Sequence, residues 1–162
     1  MNELIFYKIN DCMRRKDREL IQSAAIGILQ KGEYGILSMC TPTDEGYGVP
    51  LNYVFYGNAV YFHCALEGSK LENLRYKNKV SFCVVGKTKV LPATFGTLYE
   101  SVIVSGIASE VNGDEKQEAL IQIIRKYSAD YIPEGREYID KLNAKVLVIK
   151  LNIESVTGKA RV

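Results

Sequence analysis

Apolar residues recur every three or four positions in four stretches of the chain, which is the spacing of one face of an α-helix. The first stretch opens after Asp17, a residue suited to capping a helix start, and closes at Gly32, a common helix stop. The pattern therefore predicts four helices, at Arg18–Lys31, Glu67–Tyr76, Gly113–Tyr127 and Pro133–Leu142.

Short apolar runs and alternating segments, which are typical of β-strands, fill much of the remaining chain. The dipeptide Gly57-Asn58 separates two of them and indicates a two-residue hairpin turn. Gly106 lies inside a long run of β-branched residues, where it predicts a bulge or bend. The predicted strands are Tyr34–Cys40, Val49–Tyr56, Ala59–Ala65, Lys79–Val85, Thr97–Val111 and Val146–Leu151.

Turn residues and proline mark the connections between these elements. We expect a turn at Thr41–Gly48, a loop at Lys87–Phe95 that Pro92 interrupts, and a polar tail at Thr157–Val162. The order of elements fits a mainly β fold, an antiparallel β-barrel with flanking α-helices at its edges. A Rossmann fold is excluded, because the chain has no G-x-G-x-x-G motif and its strands do not alternate regularly with helices.

Length and composition fit one soluble domain that spans residues 1–162. The net charge of +2 is too small to indicate nucleic-acid binding, and no apolar run is long enough to cross a membrane. Residues 1–11 lack the uninterrupted apolar region of a secretory signal, so we expect a cytoplasmic protein. Four dispersed cysteines and a single histidine argue against a structural metal site and favour reduced thiols.

The stretch Val49–Arg75 holds the most informative candidate chemistry, because a hairpin leads there through Gly68 into a helix that begins with Ser69-Lys70. A helix N-terminus, a hydroxyl and an ammonium together suit a phosphate group. The same residues also form an S-x-x-E capping box, in which Glu72 would reach back to Ser69. Spacing alone leaves both interpretations open.

Other candidate residues flank this stretch. Strand alternation places His63 on the face opposite Cys64, where it is either a structural side chain or a hydrogen-bond partner of a redox cofactor. Asn52 can bond a planar heterocycle, and Pro50 suits a strand start. The small, cationic segment Thr157–Lys159 either closes over a ligand or forms a frayed end.

The joint order of these segments resembles the nitroimidazole-resistance branch of the pyridoxamine 5'-phosphate oxidase-like family, whose members are FMN-binding split-barrel proteins. The resemblance covers most of the chain, from Met13 to Arg161. It rests on these segments: Arg14–Glu19, Val49–Tyr53, Tyr61–Ala65, Glu67–Lys70, Lys79–Phe82, Tyr99–Gly106 and Thr157–Ala160.

The resemblance implies a homodimer that holds FMN in a cleft between protomers. By position, Ser69 and Lys70 would bind the phosphate, and Lys159 would lie near the ring or the pocket mouth. Residues that would line the ring edge or run beside the cofactor are Pro50, Leu51, Asn52, His63, Cys64 and Ala65. Residues that would approach from the same or the partner chain are Tyr99, Glu100 and Ser101.

The function that this resemblance implies is a flavin-dependent oxidoreductase that reduces a small electron-poor molecule, with a nitroimidazole as one candidate and His63 as a proton donor. A pyridoxamine-phosphate oxidase ranks lower, because its phosphorylated amine substrate needs a second basic phosphate pocket and the chain has no obvious arginine cluster other than Arg14-Arg15. A non-catalytic flavin carrier, or a barrel that binds haem through His63, remains an alternative from the sequence alone.

Overall fold

The computed structural model describes residues 13–162. Residues 1–11, which we expect to carry no secretory signal, and Cys12 lie outside the described residues. The three other cysteines are free thiols; Cys64 is buried, and Cys40 and Cys83 are half-buried.

An antiparallel sheet of eight strands forms the centre of the molecule, with helices against it, which confirms the predicted mainly β fold. Seven strands follow the order β3-β2-β6-β7-β8-β5-β4, and β1 pairs with β8 beside this path. The strands are β1 Glu19–Leu20, β2 Gly35–Cys40, β3 Gly46–Leu51, β4 Val54–Tyr56, β5 Ala59–Cys64, β6 Lys79–Leu91, β7 Gly96–Val111 and β8 Leu147–Arg161.

Four α-helices flank the sheet, at α1 Gln22–Lys31, α2 Ser69–Tyr76, α3 Gly113–Tyr127 and α4 Ile132–Leu142. The predicted start of α1 was wrong. Residues 16–18 form a 3-10 turn and Glu19–Leu20 a strand, so Ile21 and not Asp17 precedes the helix. Backbone pairing with β8 takes these residues out of the helix. No helix within residues 13–162 has the length and apolar character needed to cross a membrane.

The hairpin of β6 and β7 corrects a second prediction. The expected loop at Lys87–Phe95 is mostly strand, because β6 stays paired with β7 as far as Leu91. The strand ends only at Pro92, which opens a 3-10 turn that reaches Thr94. Proline lacks a backbone N–H, so it stops the ladder at that residue rather than along the whole segment.

Two predicted glycine features are confirmed. The β7–β8 register shifts between Ser105 and Gly106, and a Cβ on Gly106 would lie 1.9 Å from the carbonyl oxygen of Asn152. Gly57 and Asn58 both take positive φ angles, 55° and 63°, as a tight hairpin turn between β4 and β5 requires.

The predicted strand at Val49–Tyr56 is two strands in the structure. It is interrupted at Asn52 and Tyr53, so that β3 pairs with β2 while β4 pairs with β5. Tyr53 is fully buried, and its hydroxyl donates to the carbonyl oxygen of Leu29 at 2.6 Å. At Tyr53 the chain passes from β3, at one end of the strand order, to β4, at the other end.

Strand β8 separates two apolar cores. Ile149 and Leu151 face the barrel interior, whereas Val148 faces a second core beneath α3 and α4, as strand alternation predicts. The predicted polar tail at Thr157–Val162 was wrong, because residues up to Arg161 belong to β8 and pair with β7. Cross-strand hydrogen bonds hold this polar segment, a contribution that its composition does not reveal.

Candidate functional site

The N-terminus of α2 is open to a ligand. Gly68 is the N-cap, with φ +119°, a conformation that favours glycine, and it provides no capping side chain. Ser69 is the first helical residue rather than the cap, so the capping box weighed from the sequence is not formed. The first N–H groups of an α-helix have no partner within the helix, and here no side chain at the N-cap satisfies them.

Lys70 lies beside the end of β5. Its ammonium is 5.9 Å from the centre of the Phe62 ring and acts electrostatically on His63 and Cys64. Desolvation and, second, the charge of Lys70 lower the pKa of His63, so its imidazole is neutral at pH 7. The Cys64 side chain faces the barrel core, and burial raises its thiol pKa, so only the backbone of Cys64 can face a ligand.

A small apolar pocket adjoins the His63 side chain. Its volume is about 110 Å³. Its lining residues besides His63 come from α3, α4 and their flanks: Leu120, Ile123, Ile124, Tyr138, Ile139, Leu142 and Val146. These side chains cover one side of the His63 ring, while the residue as a whole stays exposed.

Asn52 lies at the same end of the β4–β5 ladder as His63. Val54 pairs with Tyr61, and Asn52 and His63 each lie two residues further along their strands toward this end. The Asn52 amide donates to the carbonyl oxygen of Glu33 at 3.2 Å. The fold thus brings Asn52, His63 and Lys70 to one region of a single chain. Ala65 and Ser69, both exposed, lie there too.

A second group of predicted site residues lies on the long strands β7 and β8. Ser101 pairs with Lys159 and Tyr99 with Arg161, so all four side chains share one face of the sheet. Glu100 points to the other face, where its carboxylate accepts the Lys87 N–H at 3.1 Å.

The face that carries Tyr99, Ser101 and Lys159 is the outer face of the sheet. Pairing links Pro50, Ile36, Cys83, Ile103 and Thr157 in one row across five strands, with Pro50 exposed at its edge. Apolar side chains on this face are uncovered in the described structure: the exposed fractions are 40% for Ile36, 54% for Val85 and 45% for Ile103. By the same alternation, Leu51 faces inward and packs against the barrel core.

The two groups are far apart on a single chain. His63 pairs with Val148 and Ser101 with Lys159, positions 11 residues apart on β8, or roughly 36 Å of strand at about 3.3 Å per residue. Pro50 lies four strand spacings from β8, roughly 19 Å around the sheet. One chain therefore does not bring all of the predicted residues around one small molecule.

Sequence reasoning missed two cations that the fold adds to the second group. Arg18 approaches the Tyr99 hydroxyl. Arg161 pairs with Tyr99 in the β7–β8 ladder, and its guanidinium lies against Gly96. The basic residues before α1, Arg14-Arg15-Lys16 and Arg18, were the feature of the sequence that could have indicated cations at this site. The pairing of β1 with the end of β8, which joins the two termini of the described chain, has no local signature.

The consecutive strands β3 and β4 lie at the two ends of the strand order and do not pair with each other. An antiparallel barrel divided in this way and flanked by helices is the split-barrel fold. The family model described as pyridoxamine 5'-phosphate oxidase matches residues 22–160, and the chain belongs to this family. No curated protein matches the chain.

Solved structures share the fold at low sequence identity. A candidate 5-nitroimidazole antibiotic resistance protein from Bacteroides thetaiotaomicron is 23% identical, with a TM-score of 0.72 over 88% of this chain and 86% of that one. The FAD and haem binding protein of Mycobacterium smegmatis is 15% identical, with a TM-score of 0.77 over 88% and 73%. An FAD-binding protein of Mesorhizobium loti is 23% identical, with a TM-score of 0.61 over 90% and 98%.

Proposed function

We propose that the protein binds FMN between two copies of the chain and is a flavin-dependent oxidoreductase. The observation that carries the proposal is the division of the site residues. Asn52, His63 and Lys70 gather at one end of β8, while Tyr99 and Lys159 lie at the other. A homodimer with two-fold symmetry joins one group of each chain to the other group of its partner and so builds two equal sites.

The phosphate of FMN is assigned to the start of α2. The backbone N–H groups of Ser69 and Lys70, the Ser69 hydroxyl and the Lys70 ammonium supply donors and positive charge. Gly68 supports this role, because no heavy atom lies within 4 Å of the place where its Cβ would be. A bound phosphate can therefore approach the backbone closely.

The ring of FMN is assigned to the neighbouring surface. Pro50, the backbone of Leu51 and Asn52 border it, and the backbone from His63 to Ala65 runs beside it. Tyr99, Ser101 and Lys159 of the partner chain close the cleft. A lysine ammonium near the ring stabilises the reduced, anionic form of the cofactor. Glu100 lies on the inner face and does not contact the ring directly. Its carboxylate accepts the Lys87 N–H and so stabilises the β6–β7 hairpin that carries Tyr99 and Ser101.

The dimer surface is assigned to the outer face of the sheet. Ile36, Val85 and Ile103 expose apolar area there, in a row that continues into the proposed flavin residues. Burial of such a patch against a second copy removes it from water, which is the usual reason for an uncovered apolar face on a folded protein.

The proposed reaction is the reduction of a small electron-poor molecule, for which a nitroimidazole is the first candidate because of the fold shared with the Bacteroides thetaiotaomicron protein. Reduced FMN would supply the electrons and would itself be oxidised, so a separate electron donor would have to reduce it again. The neutral His63 lies beside an apolar pocket that keeps water from one side of its ring. In its neutral form, His63 would orient the electron acceptor through a hydrogen bond. It would donate a proton to that acceptor only after it had itself been protonated.

The visible absorption spectrum of the purified protein, together with chromatography of the cofactor released by heat, tests this proposal. We expect flavin bands and released FMN. Lys70→Gln should weaken FMN binding by roughly 10- to 100-fold, the worth of one charge-assisted hydrogen bond. Lys89→Gln, an exposed charge change on β6, is the matched control. A protein that neither contains nor takes up flavin would refute the proposal, and a haem spectrum would direct attention to His63 as a ligand.

A further inference from the structure

The apolar pocket beside His63 lies at the edge of the second core. His63 pairs with Val148, which is fully buried in that core, so both side chains lie on the face of the sheet that α3 and α4 cover. His63 and Tyr138 are exposed and stand at the mouth of the pocket. Its wall is aliphatic and consists of Leu120, Ile123, Ile124, Ile139, Leu142 and Val146. An apolar wall with a few polar groups at one side is the usual composition of a small-molecule site.

Tertiary contacts on two sides keep this space open. Where α3 and α4 touch, a Cβ on Gly135 would lie 2.6 Å from a methyl carbon of Ile124, so the helices are already at their closest approach. Beyond the end of α4, the Lys116 ammonium donates to the carbonyl oxygens of Asn143 and Val146, at 2.7 and 2.8 Å. These contacts fix the two helices and the turn that follows them, so closing the pocket would require breaking them.

Water is a poor occupant of this pocket. The volume of about 110 Å³ would take about four water molecules at roughly 30 Å³ each. A buried water needs about two to four hydrogen-bond partners, and the only polar side chains of the lining are those of His63 and Tyr138 at the mouth. An apolar group that displaces such loosely held water gains free energy.

Size and charge limit what the pocket can hold. Its volume is somewhat below the roughly 150 Å³ of an apolar cavity that holds benzene, and its mouth leaves room for a substituent. None of the eight lining residues is charged when His63 is neutral, so a charged group inside would lose its hydration without gaining a partner. A single hydroxyl at the mouth can donate to the imidazole nitrogen of His63 that carries no hydrogen.

We propose that this pocket binds a small uncharged organic molecule, a single hydrocarbon ring with one hydrogen-bonding group that meets His63. The aliphatic wall holds the ring, and His63 and Tyr138 flank the polar group. The pocket is separate from the positions assigned to FMN, which follow the start of α2 and the backbone from His63 to Ala65. The binding site stands without the flavin; only its influence on the reaction, through the surroundings of His63, rests on the proposed function.

Titration of the full-length protein with phenol tests the site, with the proton NMR signal of His63 as the readout. Because His63 is the only histidine, its signal reports binding directly in tag-free protein at pH 8. We expect a saturable shift with a Kd of roughly 0.1 to 1 mM, within what about seven non-hydrogen atoms can supply. Benzylammonium, a ring of similar size that carries a charge, should bind at least about 10-fold more weakly.

Cavity-filling variants locate the binding. Val146→Phe narrows the pocket from its wall and should weaken phenol binding at least about 10-fold. Val90→Phe, the same change at an exposed position of β6 outside the pocket, should leave the affinity within about twofold. Leu142→Phe, which fills the pocket from α4, provides an independent test if the Val146 variant does not fold.

An unchanged His63 signal up to about 10 mM phenol would overturn the inference, as would equal binding by Val146→Phe and Val90→Phe. Equal affinities for phenol and benzylammonium would overturn the uncharged ligand class. The cofactor spectrum that tests the proposed function is a separate measurement. A protein without flavin that binds phenol refutes that function and keeps this site, whereas a flavoprotein that does not bind phenol keeps the function and refutes this site.

Discussion

The ammonium of Lys126 lies 3.8 Å from the centre of the Tyr53 ring and donates a hydrogen bond to the carbonyl oxygen of the same residue, at 2.9 Å. The hydroxyl of Tyr127, the next residue of α3, shares its one proton between the carbonyl oxygens of Glu33 and Tyr53 and accepts the Tyr53 N–H at 3.0 Å. These contacts fix the interruption between β3 and β4, where Asn52 bonds the same Glu33 carbonyl. Helix α3 thus positions one border of the proposed flavin site.

Lys126→Met should change how stability depends on pH. Burial, opposed in part by the charge of Glu33, lowers the pKa of Lys126 from 10.5 to about 8. Between these values the unfolded chain holds a proton that the folded chain has released, so the free energy of unfolding of the wild type rises with pH through this window. The variant lacks this contribution.

Urea unfolding at several pH values from 7 to 10 measures the effect. The stability of the wild type relative to Lys126→Met should increase above pH 8. Lys141→Met, which removes an exposed lysine of α4, should show a constant difference over the same range. A constant difference for Lys126→Met as well would contradict the lowered pKa.

His63 should titrate below its ordinary pKa of 6.5, because desolvation and the charge of Lys70 both disfavour its charged form. As the pH falls through 6.5, the unfolded chain gains this proton first, so stability is lost on acidification. Because His63 is the only histidine, one resonance in a proton NMR titration of tag-free protein reports its pKa directly. Lys70→Gln should raise this pKa, while Lys89→Gln should not. An unchanged value in Lys70→Gln would place the ammonium away from the imidazole.

Mixed dimers should reveal the shared site. Lys70→Glu damages one group of residues and Lys159→Glu the other, so each variant alone should bind little FMN. After random exchange, about half of the dimers are mixed, and each holds one intact site of two, which restores about a quarter of all sites. Fluorescence quenching of added FMN measures this recovery. No recovery despite verified exchange of subunits would indicate that each chain completes its own site.

Gly106→Ala should severely destabilise the protein. Its Cβ would lie 1.9 Å from the Asn152 carbonyl oxygen, a backbone atom that cannot move without disturbing the β7–β8 ladder. We expect a loss above about 3 kcal/mol in the free energy of unfolding. Gly27→Ala is the control, because its Cβ would meet no atom within 4 Å and a helix interior favours alanine by about 1 kcal/mol. Thermal unfolding distinguishes the two, and similar melting temperatures would be inconsistent with the close approach at Gly106.

The sequence predicted those elements correctly whose structure is determined by residues close to one another in the chain. The bounds of α3, the hairpin turn at Gly57-Asn58 and the two faces of β8 around Val148 follow from periodicity and turn chemistry. The predictions were wrong where pairing with a strand distant in the sequence determines the secondary structure. Glu19 and Leu20 had the composition of a helix start but pair with residues at the end of β8, and Lys159 lies in that strand rather than in a frayed tail.

By itself, the sequence determined the mainly β fold, the resemblance to the family and the helix that begins with Ser69-Lys70, because periodicity, glycine positions and segment order are properties of the chain. Only the structure decided that this helix start has no capping side chain. Tertiary structure alone decided that His63 and Lys159 lie at opposite ends of one strand and that Arg18 stands beside Tyr99. Strand pairing sets these distances. The hydrogen bonds between paired strands use backbone N–H and C=O groups, which nearly every residue has. Pairing between distant segments therefore cannot be recognised from the local residue types.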